Sequence, residues 1–348
     1  SILVSARAAG ARPPGRTAGR VRCPRDARAP PPVRASYSGD MPLSGPLYER
    51  VATAPPVPSG LPLVITLTGF TDAGGAASRM LDFFRDDLDP TPIISFSADV
   101  LHDYRARRPL ITFEADHLTS YRTPRLELSL AHDSIGQPFI LLAGYEPDFA
   151  WEAFTETVVG LAEGLEVSTV TWVHAIPMPV PHTRPIGTTV SGTRAELTQA
   201  HSVWKPHTQV PSNVGHLLEY RFAQAGAEVA TFALLVPHYL GDTDYPAAAI
   251  AGLDTISVAT GLVFDLDDLR EENRIFLEKV AEQVSASEEL TAMLRNLEER
   301  YDSYMAGSNL GQPIIHTGDL PSADELAAEL ERFLASRPPG DDDKRGRY

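Results

Sequence analysis

Five short loops of this sequence contain polar residues of the types that bind ligands or transfer protons. Carboxylates and imidazoles act as general acids and bases, guanidinium groups hold anions, and glycines let the backbone approach a ligand closely. Together they would suit a site for an anion or a nucleotide with an acid–base group beside it. The candidate residues are Gly69, Asp72, Gly74, Arg107, Arg108, Glu146, His182, Arg184, His238 and Tyr239.

The first loop, residues 69–75, contains three glycines and joins a predicted strand to a predicted helix. The N-terminus of a helix offers free N–H groups to an anion. However, the glycine spacing matches neither the dinucleotide-binding fingerprint nor the P-loop, so the evidence for a nucleotide is weak. We favour a tight turn in which Asp72 caps the helix, a role that does not exclude anion binding.

Arginines mark the second and fourth loops. Arg107 and Arg108 stand side by side before Pro109, where two guanidinium groups suit a carboxylate, a phosphate or the acidic residues of a neighbouring subunit. In the fourth loop, four prolines between positions 176 and 185 stiffen the chain around His182 and Arg184. That loop suits an anion site or a subunit contact, and for the arginine pair structural ion pairing is an equally good interpretation.

The third and fifth loops each follow a strongly apolar strand. Glu146 stands where a general base or a ribose-binding carboxylate would lie, although Pro147 and Asp148 also fit an ordinary helix start. His238 and Tyr239 directly follow the other strand. A single histidine in that place is more often a structural hydrogen-bonding group than a catalyst.

Complete catalytic and metal-binding motifs are absent from the sequence. It has no G-x-S-x-G elbow and no H-E-x-x-H, and its ten histidines do not show zinc spacing. The segment 265–268 matches a calcium loop at three positions but lacks the required glycine and the distal glutamate. The one cysteine, Cys23, lies far from these loops. We therefore expect no metal and no cofactor.

The elements that would position these loops are strands alternating with helices. Such alternation predicts an α/β fold with a mostly parallel, doubly wound sheet, and the continuously apolar strands indicate that both faces are covered. The loops at the carboxyl ends of such strands share one edge of the sheet. Strands are predicted over 61–68, 92–97, 138–143, 167–175, 188–192 and 228–236, a hairpin-like excursion over 110–113 and 125–131, and helices after residues 75 and 149, over 213–222 and over 246–260.

The sequence divides into four parts. Residues 1–45 form a basic arm that we expect to be disordered, residues 46–265 the α/β core, residues 266–336 a helical extension, and residues 337–348 a disordered tail. Two capping boxes, beginning at Ser285 and Ser322, mark helix starts in the extension. Its apolar stripes are expected to pack on their own domain.

The basic arm admits three interpretations. Residues 1–40 carry eight arginines and two aspartates, which fits a transit peptide or an arm that contacts nucleic acid. We favour an upstream extension without function, with the working protein starting at Met41. The net charge of −16 disfavours nucleic acid and anionic membranes as partners, and no apolar run approaches the length of a membrane span. We expect a cytoplasmic protein.

Several of these motifs, taken in order, resemble the proteasome assembly chaperone 2 family in its actinobacterial branch. The resemblance covers roughly residues 45–305. The segments that carry it are Gly69-Phe70-Thr71-Asp72-Ala73-Gly74, Tyr104 to Pro109, Gly144-Tyr145-Glu146-Pro147, Pro181-His182-Thr183-Arg184-Pro185 and Pro237-His238-Tyr239-Leu240.

The resemblance implies an α/β sandwich similar to the purine nucleoside phosphorylase/hydrolase-like fold, assembled as a homotrimer or another small oligomer. Eukaryotic relatives help to assemble the proteasome α-ring by shielding subunit surfaces, whereas the bacterial members have no settled activity. Members that dock on the proteasome use a C-terminal motif with a hydrophobic residue and a tyrosine. Here only Tyr348 matches that motif, which argues against direct docking.

Two functions remain open from the sequence. The favoured one is a non-catalytic assembly or scaffold protein whose partners are further copies of itself and another protein. The alternative is an enzyme or a nucleotide- or anion-binding protein that uses the strand-end crevice. In that case Asp72 and Gly74 would hold the anion, Glu146 would act as base or ribose ligand, and His182, Arg184 and His238 would surround the reacting group.

Overall fold

The computed structural model describes residues 46–203 and 209–307. The expectations for the basic arm with its start at Met41, the capping box at Ser322 and the C-terminal tail lie outside the described residues.

The strands and helices follow each other in the order that the sequence predicts for an α/β protein. The strands are β1 (Tyr48–Arg50), β2 (Leu63–Thr68), β3 (Thr91–Phe96), β4 (Leu110–Glu114), β5 (His117–Arg122), β6 (Leu126–His132), β7 (Pro138–Tyr145), β8 (Val170–Met178), β9 (Thr188–Gly192) and β10 (Val229–Pro237). The α-helices are α1 (Ala76–Leu88), α2 (Ala98–Leu101), α3 (Trp151–Gly164), α4 (Ala195–His201), α5 (Val214–Gln224), α6 (Pro246–Thr260), α7 (Asp267–Ser285) and α8 (Glu288–Gly307).

The main sheet is mixed, with strand order β1-β3-β6-β7-β2-β8-β10-β9. Its four central strands, from β7 to β10 in that order, run parallel as predicted. The outer strands pair antiparallel, so the expectation of a mostly parallel sheet holds only for the centre. The reason is local: a short turn can join antiparallel neighbours, whereas parallel neighbours need a crossover. Asp133 makes such a turn between β6 and β7, because its side chain accepts hydrogen bonds from the N–H groups of Ile135 and Gln137.

Helices cover both faces of the sheet, as the apolar strands predict. Along β2, Leu63 and Ile65 point into one core, whereas Val64 points into the other. The core that contains Val64 is formed with α1 and α6, and the opposite core is formed with α3 and α5. Because the central strands are buried on both sides, their carboxyl ends and the following loops are the accessible parts of the sheet centre.

A separate two-stranded hairpin projects from the fold, and its pairing corrects the prediction for this region. β4 pairs with β5, not with residues 125–131, which instead form β6 within the main sheet between β3 and β7. Only Ala115 and Asp116 separate β4 from β5, and the positive φ of 53° at Ala115 makes so short a turn possible. β6 is mostly buried, whereas β4 is exposed along its whole length.

The helical extension packs on the α/β core, as its apolar stripes predict. Val280 of α7 and Leu297 of α8 are buried, and the hydroxyl of Tyr304 donates a hydrogen bond of 2.7 Å to the carbonyl of Val203. The capping position differs from the prediction: Ser285 ends α7, and Ser287 accepts a hydrogen bond from the N–H of Leu290. No helix within residues 46–203 and 209–307 is long and apolar enough to cross a membrane.

Candidate functional site

Glu146 connects three elements at the carboxyl edge of the sheet. It lies directly after β7 and is only 8% exposed. One carboxylate oxygen accepts a hydrogen bond of 2.6 Å from the N–H of Val214, the first residue of α5. The other accepts one of 3.2 Å from the N–H of Phe70, in the loop after β2. A Cβ at Gly69 would overlap this carboxylate, so the loop approaches Glu146 only because position 69 is glycine.

Next to Glu146 lies a cluster of three buried rings. Trp172 and His174 are two residues apart on β8 and therefore share a face of the sheet. Their rings stack with centroids 4.4 Å apart and planes 10° from parallel. The ring of His216 from α5 meets both of them edge-on, at 5.2 Å and 5.4 Å. Gly215 lets α5 approach so closely, because a Cβ there would overlap the indole ring.

Two nitrogen atoms of this cluster are buried without a hydrogen-bond partner in the described structure, Nε1 of Trp172 and Nδ1 of His174. Burial, together with repulsion from His216, lowers the pKa of His174 to about 3. Burial also lowers the pKa of His216, although Glu219 and Glu146 oppose the shift. Both rings are therefore neutral at physiological pH.

A small pocket connects Glu146 with the ring cluster. Its walls include Gly69, Phe70, Trp172, His174 and Asn213, and its free volume is about 10 Å³, which is room for one water molecule. Most polar groups in its walls form hydrogen bonds within the chain. Asn213 caps α5 by accepting a hydrogen bond of 2.9 Å from the N–H of His216, whose Nδ1 accepts one from the N–H of Asn213.

Asp72 and Gly74 of the first loop have structural roles. The carboxylate of Asp72 accepts hydrogen bonds from the N–H groups of Ala77 (2.6 Å) and Ser78 (3.0 Å), so it caps the first turn of α1 as the sequence predicts. Gly74 has a φ of 70°, which favours glycine, and its N–H donates a hydrogen bond of 2.6 Å to the carbonyl of Gly241.

In the second loop, the two arginines of the predicted pair differ: Arg107 forms an ion pair and Arg108 forms none among the described residues. Arg107 forms an ion pair with Asp148 and lies 5.6 Å from the centre of the Tyr145 ring. Burial opposes ionisation of Asp148, but the N–H of Asp103 and the guanidinium of Arg107 outweigh it and lower the pKa of this carboxyl. Arg108 is exposed, and no ion pair is recorded for it within the described residues.

The fourth and fifth loops meet each other and hold α8. The Tyr239 hydroxyl accepts a hydrogen bond of 2.8 Å from the N–H of His182 and lies 2.7 Å from Nδ1 of the same residue. The guanidinium group of Arg184 donates two hydrogen bonds, of 2.8 Å and 2.6 Å, to the carboxylate of Asp302 in α8. The ring of His238 meets that of Tyr239 edge-on at 5.5 Å. Burial lowers the pKa of His182, with Glu298 opposing the shift, and raises that of Tyr239.

The five loops thus lie in a row along one edge of the sheet, but they do not surround one cavity. Glu146 and Gly69 line the small pocket, whereas His182 and Arg184 line a separate groove of about 490 Å³. Among the described residues, no group of three or more His, Cys, Asp and Glu side chains is placed to hold a metal ion.

The sequence analysis did not single out Trp172, His174 and Asn213, which line the pocket, or His216, which belongs to the ring cluster beside it. The signal for the first two was a histidine placed two residues after a tryptophan in an otherwise apolar strand. The signal for Asn213 was an asparagine directly before a predicted helix.

Known proteins provide three comparisons. The sequence model of the PAC2 family matches residues 66–284. A Mycobacterium tuberculosis protein of unknown function is 42% identical, with a TM-score of 0.69 over 75% of this chain and 90% of that one. A Corynebacterium glutamicum protein of unknown function is 32% identical, with a TM-score of 0.71 over 74% of this chain and 98% of that one.

A more distant structure is that of a M. tuberculosis proteasome-assembly chaperone homologue. It is 23% identical, with a TM-score of 0.61 over 67% of this chain and 100% of that one, and at this identity it supports the fold alone. No curated protein matches the chain significantly. The family match and the actinobacterial structures confirm the resemblance that the loop motifs indicated.

Proposed function

The chain belongs to the PAC2 family, and from this membership we propose that it is a non-catalytic assembly or scaffold protein that binds other protein chains, further copies of itself among them. The observation that carries the proposal is the hairpin β4–β5. We assign to this hairpin the main contact with the partner.

One face of the hairpin is apolar and uncovered. Phe113 and Leu118 are directly paired across the two strands, and Ile111 lies two residues before Phe113 on the same face. The register shifts by one residue near Ser120, which has a φ of 52°, and beyond this β-bulge Arg122 pairs with Leu110 on the opposite face. This places Tyr121, the neighbour of Arg122, on the same face as Ile111. The exposed fractions are 50% for Ile111, 70% for Phe113, 59% for Leu118 and 59% for Tyr121.

A cluster of this kind supports protein binding on energetic grounds. Single exposed apolar residues are normal, but contiguous exposed apolar patches mark interaction surfaces. A two-stranded hairpin is also marginally stable by itself, so a partner that covers its apolar face would stabilise it. The apolar face of this hairpin, comprising Ile111, Phe113, Leu118 and Tyr121, is called the hairpin face below.

The strand-end crevice supports the alternative function less well. Three of its charged side chains are engaged inside the chain: Arg107 with Asp148, Arg184 with Asp302, and Glu146 with two backbone N–H groups. The small pocket has room for one water molecule, whereas ligand sites usually measure several hundred Å³. The unpaired nitrogens of Trp172 and His174 are the observation in favour of a ligand there.

Three finer expectations belong to the same proposal. We propose a cytoplasmic homo-oligomer, a trimer in the first instance, as the family resemblance implies. We also propose the purine nucleoside phosphorylase/hydrolase-like arrangement of the α/β core. The partner class is another protein of a multi-subunit assembly, and proteasome subunits are the first to test.

The decisive experiment compares two hairpin variants in the full chain. Phe113→Asp places a charge in the hairpin face, whereas Thr112→Glu places one on the opposite face of the same strand, which is polar except for Leu110. Complexes purified from the native host are sized by light scattering and identified by mass spectrometry. We expect Phe113→Asp to lose both self-association and the stoichiometric partner, and Thr112→Glu to keep them. If Phe113→Asp keeps every complex, the hairpin is not the contact.

The same samples test the alternative. A homo-oligomer that keeps its size in Phe113→Asp and carries a bound nucleotide or anion after purification would favour a function in the crevice. Loss of that ligand in His174→Phe would then locate it in the pocket beside Glu146.

A further inference from the structure

A groove on the outer side of α6 has the size and the lining of a small-molecule site. Its volume is about 490 Å³, which lies within the range of sites that enclose a ligand of moderate size. It is bordered by α6, by α7 and by the loop that leads to β9. Sites for small molecules combine apolar walls with a few polar groups that orient the ligand. The apolar side chains of this lining include Ile186, Phe232, Ile250, Val258 and Leu277.

A single carboxylate stands in the wall of this groove. Asp254 is the one charged residue of α6. It is exposed, and its side chain forms no ion pair or hydrogen bond among the described residues. A charged residue stabilises a helix when an opposite charge lies one turn away, but here Ile250 and Val258 occupy those places, and both line the groove. The carboxylate of Asp254 is therefore available to a ligand that has a positive charge next to an apolar body.

Two further oxygen atoms of the lining have no hydrogen-bond partner among the described residues. One is Oδ1 of Asn273, which is buried and becomes available to a ligand when the amide rotates towards the groove. The other is the hydroxyl oxygen of Tyr245, a residue that is only 2% exposed. Burial raises the pKa of Tyr245 to about 12, so this hydroxyl stays protonated. Buried polar groups without a partner cost free energy, and a ligand that pairs with them would offset this cost.

The basic groups of the groove do not favour an anion. Arg184 is paired with Asp302 and Glu298. Burial lowers the pKa of His182 despite the opposing effect of Glu298, so this imidazole is neutral at physiological pH. The described lining residues include no lysine, and their remaining basic side chain is that of His201. The net charge of −16 also attracts cations to the protein, so electrostatics favours a cationic ligand.

We propose that the groove binds a small amphipathic amine, whose ammonium group pairs with Asp254 and whose apolar body lies along Ile250, Val258 and Leu277. An ammonium group has three N–H donors and no acceptor. It therefore suits a lining in which the unpaired polar groups are oxygen atoms. This inference goes beyond the proposed function, because it assigns a small-molecule site to a surface that the hairpin does not line.

Three probes with the same ring and different charges test the class of ligand. They are 2-(1-naphthyl)ethylamine, 2-(1-naphthyl)ethanol and 1-naphthylacetate, each titrated into the full chain by calorimetry at pH 8 and low salt. At this pH alkylamines are protonated and ordinary imidazoles are neutral. We expect the amine to bind at one site per chain, about two- to fivefold more tightly than the alcohol, which is the effect of one partly exposed ion pair. The carboxylate should bind most weakly.

Variants of the groove locate the ammonium group. Asp254→Asn keeps the size of the side chain and removes its charge, so the amine should bind about two- to fivefold less tightly while the affinity for the alcohol stays the same. Glu156→Gln is the matched control. Glu156 is an exposed carboxylate within α3, on the opposite face of the sheet, and it forms no ion pair among the described residues. Ala251→Phe places a ring in the groove and should weaken the binding of all three probes.

Several outcomes would overturn the proposal. If the wild-type chain shows no saturable binding of the amine, or binds the amine and the carboxylate equally, the ligand class is wrong. If Asp254→Asn and Glu156→Gln weaken the amine equally, the charge of the whole surface attracts it and the assigned contact is wrong. If a lysine-containing peptide binds at Asp254 and the free amine does not, the groove docks a protein chain. Asp254→Asn decides the matter even if Ala251→Phe lowers the melting temperature, because Asp254 is exposed.

Discussion

The imidazole of His174 lies parallel to the indole of Trp172 at a centroid distance of 4.4 Å, with Nδ1 of one and Nε1 of the other buried and unpaired. This stack packs the first turn of α5 against the centre of the sheet. It also places an ionisable group where its charged form is strongly disfavoured. The stability of the fold should therefore depend on pH through this residue.

His174→Phe should reduce the acid sensitivity of the protein. The pKa of His174 is about 3 in the folded state, whereas that of an unfolded histidine is about 6.5. Below pH 6.5 protons therefore bind the unfolded chain more readily than the folded one and shift the equilibrium towards unfolding. This contribution to stability is complete above pH 6.5 and is lost as the pH falls. For one such group the loss is at most about 1.4 kcal/mol per pH unit.

Urea unfolding at pH 7, 6 and 5 measures this effect. The wild-type protein should lose more unfolding free energy between these pH values than His174→Phe. His117→Phe is the control. Because His117 is exposed in the hairpin, this variant should behave like the wild type. Equal slopes for the wild type and His174→Phe would mean that the imidazole is already hydrated in the native state.

Glu146→Ala should lower the free energy of unfolding by about 2–3 kcal/mol, because it leaves the N–H groups of Phe70 and Val214 without their charged acceptor. Glu146→Gln keeps one carbonyl acceptor and should cost about 1 kcal/mol. Glu152→Ala removes an exposed carboxylate that pairs with Arg221 and should cost less than about 1 kcal/mol. Chemical denaturation of the three variants gives this order.

A reversed order of unfolding free energies for these variants would contradict the structural role of Glu146. If Glu146→Ala were as stable as Glu152→Ala, the two N–H groups would have another acceptor, such as a water molecule in the pocket. Glu146 would then be available for chemistry.

Arg184→Ala should loosen α8 without unfolding the core. The two hydrogen bonds from Arg184 to Asp302 join the fourth loop to α8. We expect amide hydrogen exchange in α8 to become several-fold faster, with unchanged exchange in β2, β7 and β8. Arg85→Ala is the matched control, because the ion pairs of Arg85 stay within α1. Unchanged exchange in α8 would show that its other contacts, among them buried Leu297 and the hydrogen bond from Tyr304 to Val203, are sufficient.

Much of the fold was predictable because its signals are local. The bounds of β9 and α6 agree with the prediction to the residue. Prolines and glycines mark the ends of such elements, and the spacing of the apolar residues identifies their type. The pairing of β4 was predicted wrongly because the turn Glu114-Ala115-Asp116-His117 lacks the Asn-Gly or Asp-Gly dipeptide that usually identifies a tight hairpin.

The candidate site was predicted less completely, since its contacts are distant in sequence. Glu146 could be named from its place after a strand, but its binding of Val214, 68 residues further on, could not. In the same way, nothing local indicates that Arg184 pairs with Asp302, 118 residues away. A ligand site and a structural ion pair use the same residue types, and only the position of the partner distinguishes them.

The separation of the hairpin from the main sheet has an evolutionary consequence. Its strands pair only with each other, so substitutions on them leave the pairing of the eight-stranded sheet unchanged. Related chains can therefore diverge in this segment while they keep the same core. If the hairpin makes the contact proposed above, sequence variation confined to residues 110–122 would change the choice of partner without changing the fold.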